Sequence, residues 1–366
     1  MTTSTLESKV KEVLARKMGG TTAPPTPKTP AKEPATFIKS RMDKVGKKAA
    51  SGYVKYSELF GQTPPSGNDW DVKVFADSDW DEDDKVFIPS KEKFEDYVIN
   101  HAVMEQLIVG YNSNMKMLVV GPTGSGKTSL QELLCAYINQ PYYRINGRQD
   151  METDTLLGKP WVSEGSMHYE KGELPKALKK GWYVAFDEPW KTPAGIQMAL
   201  QRFYEKDGIL QLDDMPGSLA DKQVISDPRT RLVLSDNVVG TGDGADQYGA
   251  TMIQDGSTLN RMDMVIKMPY MNQAEEATLI RKKHPAISKD AATKMVKFFN
   301  LVRTSYTQRI VSAAVSPRNY DAWANLATKL NNLEMACKWT VLERYAEDSE
   351  KAVVRDHYKT VFGKVL

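Results

Sequence analysis

Residues 121 to 129 bring together the groups that phosphate chemistry requires: glycines, a lysine and hydroxyls. Gly121, Pro122, Thr123, Gly124, Ser125, Gly126, Lys127, Thr128 and Ser129 follow the apolar run Met117 to Val120 and precede the helix-like stretch Leu130 to Ile138. The pattern G-x-x-x-x-G-K-[ST] between a strand and a helix turns successive backbone N–H groups inward on an anion, and glycine allows the close approach that a Cβ would resist. In that setting Lys127 reaches the β and γ phosphates of a nucleoside triphosphate. The Thr128 hydroxyl takes a Mg²⁺ coordination position, and the helix starting there directs its positive dipole end at the same anion. The expected ligands are ATP and Mg²⁺.

A second element fits the same chemistry. Trp182 to Phe186 is an apolar strand that ends in Asp187 and Glu188, the form of a Walker B motif. One carboxylate at the strand end holds the Mg²⁺ shell, which is the role expected of Asp187. The next, Glu188, orients and polarises the attacking water. Arg229 to Asn237 reads as a further strand ending in a polar residue, and the Asn237 amide is the candidate to hold that water. Pro317 at an early helical position presents Arg318 near a domain junction.

These residues need a scaffold, and the chain is long enough to supply one. Its 366 residues, 41% of them hydrophobic, suit two packed domains and an extra segment. Strands alternating with helices across the middle argue for an α/β domain with a parallel sheet. From Asn272 onward the periodicity is helical, with segments expected at Glu275–Lys283, Ser288–Thr304, Pro317–Asn331 and Leu333–Arg355. A helix is also expected over 92 to 111, and hairpin-like strands over 209 to 228. The expected division is an N-terminal segment over 1–65, an α/β nucleotide-binding domain over 66–270 and a helical lid over 271–366.

Charge is segregated along the front of the chain. The net charge is only +2, but residues 1 to 50 carry eleven Lys/Arg against four Asp/Glu, and 69 to 84 carry eight acids against Lys73. A short amphipathic helix is expected over 4 to 18 and a Pro/Thr/Lys-rich linker over 21 to 34. The basic arm and the acidic stretch after it read as solvated linker, with an interaction tail as the alternative. Cys135 and Cys337 lie in apolar surroundings and read as core residues, and the four histidines have no metal-ligand spacing. No stretch is long and apolar enough to span a bilayer, so a cytoplasmic location is expected.

Together the motifs resemble AAA+ ATPases of the MoxR-type branch, and most nearly the CobS-type subunits of aerobic cobaltochelatase. The likeness is carried by GPTGSGKTS at 121–129, NGRQDMETDTLLGKPWV at 146–162, KGELPKAL at 171–178 and VAFDEPWKTPAGIQMALQRFYE at 184–205. It continues in LSDNVVGTGD at 234–243, LNRMDM at 259–264 and VSPR at 315–318. The resemblance implies an AAA+ P-loop core with a helical lid, ATP hydrolysis and a homo-hexameric ring. In that ring Arg261 is the arginine finger toward a neighbouring subunit, Arg318 is sensor 2 and Asn237 is sensor 1. It also implies β-hairpins over 157–172 and 208–227 that face the pore or a partner. The implied partners are an adhesion-domain subunit and a large corrin-binding subunit, with ATP turnover driving Co²⁺ insertion. A nucleic-acid-associated or phage-related AAA+ motor is the rival reading. A third is a nucleotide-binding switch without turnover, which would have no need of Glu188.

Replacing Lys127 by Ala deletes the cation that faces the β and γ phosphates. Equilibrium titration with a fluorescent ATP analogue is expected to show loss of binding, and unchanged affinity would overturn the phosphate-loop assignment.

Overall fold

The two apolar runs that end in the phosphate-type loop and the acid pair are neighbours but one in a single parallel sheet. A computed structural model of the protein describes residues 52–205, 208–240 and 256–366. The helix expected over 4 to 18, the linker over 21 to 34 and the glycine-rich stretch 241–255 lie outside the described residues.

In chain order, β1 (Gly52–Lys55) and β2 (Asp71–Val74) form an antiparallel pair around the short helix Tyr56–Phe60. The helix His101–Asn112 leads into β3 (Met117–Val120), and Lys127–Ile138 leads into β4 (Tyr142–Asn146). A hairpin of β5 (Gly158–Ser163) and β6 (Ser166–Lys171) follows, then β7 (Tyr183–Asp187). A smaller hairpin, β8 (Ile209–Gln211) and β9 (Gln223–Ile225), precedes β10 (Arg231–Asp236) and β11 (Met264–Lys267).

The central sheet has the order β11-β3-β10-β7-β4, with every pair parallel. β3 and β7 are buried throughout, which explains why MLVV and YVAFD are apolar runs rather than alternations. From β3 the chain crosses to one edge of the sheet, works back through β7 and β10, and then passes to the far side of β3. The crevice beyond the carboxyl end of β3 is therefore where the connections diverge, the usual ligand position in an open parallel sheet.

Helices Gln273–Lys283, Lys289–Thr307, Pro317–Leu330, Leu333–Thr340 and Asp348–Phe362 build a second core around Phe298, Phe299, Tyr320, Trp323 and Tyr358. Within it Glu276 is fully buried, and both its oxygens are held at 2.9 Å by the Arg303 guanidinium. This is the α/β core with a helical C-terminal region that the alternation and the later helical periodicity predict.

Four expectations are corrected. The segment expected to lie before the domain, up to residue 65, contains Tyr56, Leu59 and Phe60, which are buried in the same core as the sheet. The acidic stretch 69 to 84 is folded as well. Trp80 inserts beside Phe75, donates from Nε1 to the Asn139 carbonyl at 2.8 Å and carries the Arg229 guanidinium 4.6 Å from its ring. Asp84 is buried and paired with Lys180. Alternating Val72, Val74 and Trp80 among the acids supplies the apolar face that the charge count obscures.

The helix expected over 92 to 111 is shorter. A single 3₁₀ turn covers Lys91–Phe94, and the α-helix starts at His101, where Asn100 Oδ1 accepts the Val103 N–H at 3.2 Å. The last expected helix is broken at Val341 to Glu347, because Val341, Leu342 and Tyr345 turn into the core and the Tyr345 hydroxyl reaches the Ala313 carbonyl at 3.0 Å.

Trp80→Ala is expected to cost about 3–5 kcal/mol in urea denaturation. Replacement of the neighbouring exposed Glu82 by Ala should stay within about 0.5 kcal/mol. Equal, small effects would mean that this segment does not pack on the sheet.

Candidate functional site

The site grows from the carboxyl ends of β3, β7 and β10. Register sets Val120 beside Asp236 and Ser235 beside Asp187, so one strand end delivers a loop and the next two deliver acids. Gly124 has a φ of +78°, and a Cβ there would sit 2.6 Å from the Ser316 Cβ of the helical region. Glycine is thus required twice over, by the loop's left-handed turn and by the closeness of the lid.

Lys127 is 8% exposed and folds its ammonium back into the loop. Nζ donates to the Gly121 carbonyl at 2.6 Å, to the Asn237 Oδ1 at 2.8 Å and to the Pro122 carbonyl at 3.3 Å. Burial pushes its pKa down to about 8 against the pull of Asp187, Asp236 and Glu188, and Arg318 adds to the lowering. Among the described residues Ser125 Oγ has no hydrogen-bond partner, a buried hydroxyl of the kind that an anion's oxygens would satisfy.

Thr128 Oγ1 donates to Asp187 Oδ2 at 3.1 Å. Two adjacent ligands of an octahedral cation with bonds of 2.0–2.1 Å lie roughly 3 Å apart, so these oxygens have the spacing of a Mg²⁺ pair. Glu188 leaves the strand in the left-handed region, at φ +53°, with its N–H on the Ser235 carbonyl at 2.7 Å and its carboxylate 2.9 Å from the Lys191 ammonium. That turn brings the Glu188 carbonyl so near Gly147 that a Cβ there would stand 2.1 Å from it.

Arg261 does not join this group. Its Nε is 2.6 Å from Glu205 Oε1, and Nη1 donates to the Ser257 carbonyl at 2.9 Å. β11 pairs Met264 with Met117 and Lys267 with Val120, so Arg261 precedes the amino end of the sheet while Gly121 follows its carboxyl end. Four strand residues separate the two levels by on the order of 13 Å. Pro122, Thr123 and Ser129 line the loop and the first helical turn, and the Thr123 carbonyl accepts the Tyr270 hydroxyl at 3.0 Å.

Residues 116–252 match the family described as the AAA domain of the dynein-related subfamily. The match spans the phosphate-type loop, the acid pair and Asn237. It is similar to the aerobic cobaltochelatase subunit CobS of a Sinorhizobium species, 26% identical over 81% of this chain and 88% of that protein. It is also similar to the uncharacterized protein YojN of Bacillus subtilis, 23% identical over 72% of this chain and 83% of the relative. Among solved structures, the RuvB Holliday junction branch migration motor of Thermotoga maritima aligns over 70% of this chain and 73% of its own, at 13% identity and a TM-score of 0.40. Residues 116–252 carry the likeness to the AAA domain, and the chain as a whole is distantly similar to CobS.

Within residues 116–252 two site residues escape sequence reasoning. Arg144 on β4 sets its Nη2 on Asp187 Oδ2, and Asp236 lies buried between the acid pair's loop and Asn237. Asp236 Oδ1 accepts the Asn237 N–H at 2.7 Å and the Val238 N–H at 3.4 Å, and Oδ2 accepts the Trp190 N–H at 3.3 Å. The signal for Arg144 was its parity with Asn146 at the end of a short strand. For Asp236 there was only its position before Asn237. Among the described residues no helix is long and apolar enough to cross a membrane, and no cluster of three His, Cys, Asp or Glu is placed to hold a metal ion. Cys135 and Cys337 are both buried and free, as core packing predicts.

Burial pushes the Asp236 carboxyl up from 3.8 to about 6, and Glu188 adds to the rise against the three N–H groups that favour the ionised form. A folded pKa above the unfolded one means that its stabilising share is complete below about pH 4 and is lost as pH rises through about 6. In urea denaturation the wild type is expected to lose about 3 kcal/mol relative to Asp236→Asn between pH 4 and pH 7. A difference that does not vary with pH would overturn the assignment.

Proposed function

We propose that this AAA domain binds ATP with Mg²⁺, hydrolyses it, and uses the turnover to remodel a partner from within a ring of identical subunits. The observation that carries the reading is the convergence of Lys127, Thr128, Asp187 and Asn237 beyond one sheet end, with Glu188 on the next residue. Lys127 takes the β and γ phosphates, exchanging its bonds to loop carbonyls for stronger charge-assisted ones. The backbone N–H groups of residues 123 to 129 wrap the phosphates. Thr128 and Asp187 are the residues that would hold Mg²⁺, which would supply neutralisation of the phosphate charge there.

Glu188 polarises the attacking water, and Asn237, now 2.8 Å from the Lys127 ammonium, holds that water at the γ-phosphate. Arg318 adds a positive charge from the lid. Arg261 serves the neighbouring subunit's phosphate, which agrees with its position at the opposite level of the sheet from its own loop.

For the partner, the 26% identity to CobS supports a chelatase-type assembly, in which an adhesion-domain subunit and a large corrin-binding subunit receive the work of ATP turnover. The hairpin β5–β6 suits such a contact, since Trp161, Val162 and Met167 are exposed on it and Trp161 stacks on His168 at 4.7 Å. These apolar side chains gain from burial against another protein.

Glu188→Gln is expected to keep ATP binding and lose phosphate release. Arg261→Ala should also bind ATP, with turnover down by on the order of 10³ to 10⁵. Mixing the two inactive variants should recover part of the activity, because some interfaces then join an intact Glu188 to an intact Arg261 from next door. Assembled mixtures that recover nothing, or a fully active Arg261→Ala, would refute the trans arrangement.

A further inference from the structure

Asp187 Oδ2 has two donors on it. Thr128 Oγ1 approaches from the helix after the phosphate loop, and Arg144 Nη2 approaches from β4. The pairing is a consequence of sheet register: Arg144 stands beside Ala185 and Asn146 beside Asp187, so Arg144 lies on the same face as the carboxylate, one pleat back. The two partners differ in freedom. The Asp187 side chain is 10% exposed and held within an inner strand, whereas that of Arg144 is 45% exposed and belongs to β4, the last strand of the sheet. The guanidinium can leave toward solvent and the carboxylate cannot follow.

We propose that Arg144 is a displaceable counter-ion, which neutralises Asp187 when no divalent cation is bound and must be driven off the same oxygen when one binds. The inference rests on the reading of Thr128 and Asp187 as the cation's ligands. A buried carboxylate without a cation is costly, so a built-in positive group keeps this strand end stable between turnovers. A guanidinium and a divalent cation cannot share one carboxylate oxygen without mutual repulsion, so Arg144 raises the Mg²⁺ concentration needed to load the site. The hydrogen bond from Thr128 needs no such displacement, because rotating its hydroxyl hydrogen frees the lone pairs of both oxygens for a metal.

The test is Mg²⁺ titration of the full chain at fixed concentration of a fluorescent ATP analogue, with Mn²⁺ binding followed by electron paramagnetic resonance as a readout independent of turnover. A neighbouring opposite charge shifts a carboxylate's affinity for protons by one to three pK units, so Arg144→Gln is expected to lower the half-saturating Mg²⁺ by about tenfold. It should also enlarge the rise in unfolding temperature on adding Mg²⁺ and nucleotide, since the metal then relieves an uncompensated carboxylate. Arg144→Lys, a flexible point charge that grips the oxygen less well, should lower the requirement by a smaller factor, and it serves if the glutamine variant does not fold. An unchanged or raised Mg²⁺ requirement in the variant measured overturns the proposal, and a raised one would make Arg144 a ligand of the nucleotide instead. Asp187→Asn separates the underlying reading: if that variant keeps the wild-type Mg²⁺ dependence, the cation is held elsewhere and the failure lies with the site assignment, not with Arg144.

Discussion

A nearly buried ammonium at the carboxyl end of a parallel sheet is the interaction on which the site depends. Lys127 is withdrawn from water, and its charge is offset because β10, beside β3, and β7, beside β10, end in a register that delivers Asp236 and Asp187 near the loop. Burial and the three acids pull in opposite directions on that lysine, and the outcome is a cation lowered to about 8 that is held by carbonyl and amide oxygens. A phosphate chain offers it more negative charge than these neutral acceptors do. The loop is therefore arranged around a charge whose best partner is an anion.

The helical region is tied to that loop by contacts that run through both bodies. Tyr270, between β11 and the first lid helix, donates to the Thr123 carbonyl, and its ring lies 3.8 Å from the Arg303 guanidinium. Arg303 in turn is clamped on the fully buried Glu276. On the other side Ser316 approaches Gly124 closely enough to exclude a Cβ. The lid's buried Arg303–Glu276 pair thus stands one residue, Tyr270, from the phosphate loop.

The acidic strap shows how composition can mislead. Eight acids in sixteen residues satisfy the usual signature of a solvated linker. What decides otherwise is that Val72, Val74, Phe75 and Trp80 are spaced to face the sheet's helices, while Arg229 and Lys180 come from more than ninety residues away to meet Trp80, Asp79 and Asp84. Net charge along a segment describes its solvent face. It is silent on partners that only the fold supplies.

The phosphate loop, the acid pair, Asn237 and the α/β-then-helical order were legible in the sequence because each is local: a strand, a turn and a helix start within ten residues, or an apolar run that stops at a carboxylate. The start of the helix that carries Arg318 was legible for the same reason, through Pro317. Strand order, and with it the pairing of Arg144 with Asp187 and the burial of Asp236, was not, since a parallel sheet joins residues separated by 43 and 46 positions with no short-range trace of which strand lies beside which. The interruption of the last helix at Val341 and the inclusion of Tyr56 in the core were likewise tertiary decisions, made by apolar side chains finding a common interior. The sequence by itself determined which groups could meet a nucleotide. Only the packed sheet decided which charges face one another there, because electrostatic neighbours are set by distance in space, and distance in space follows register.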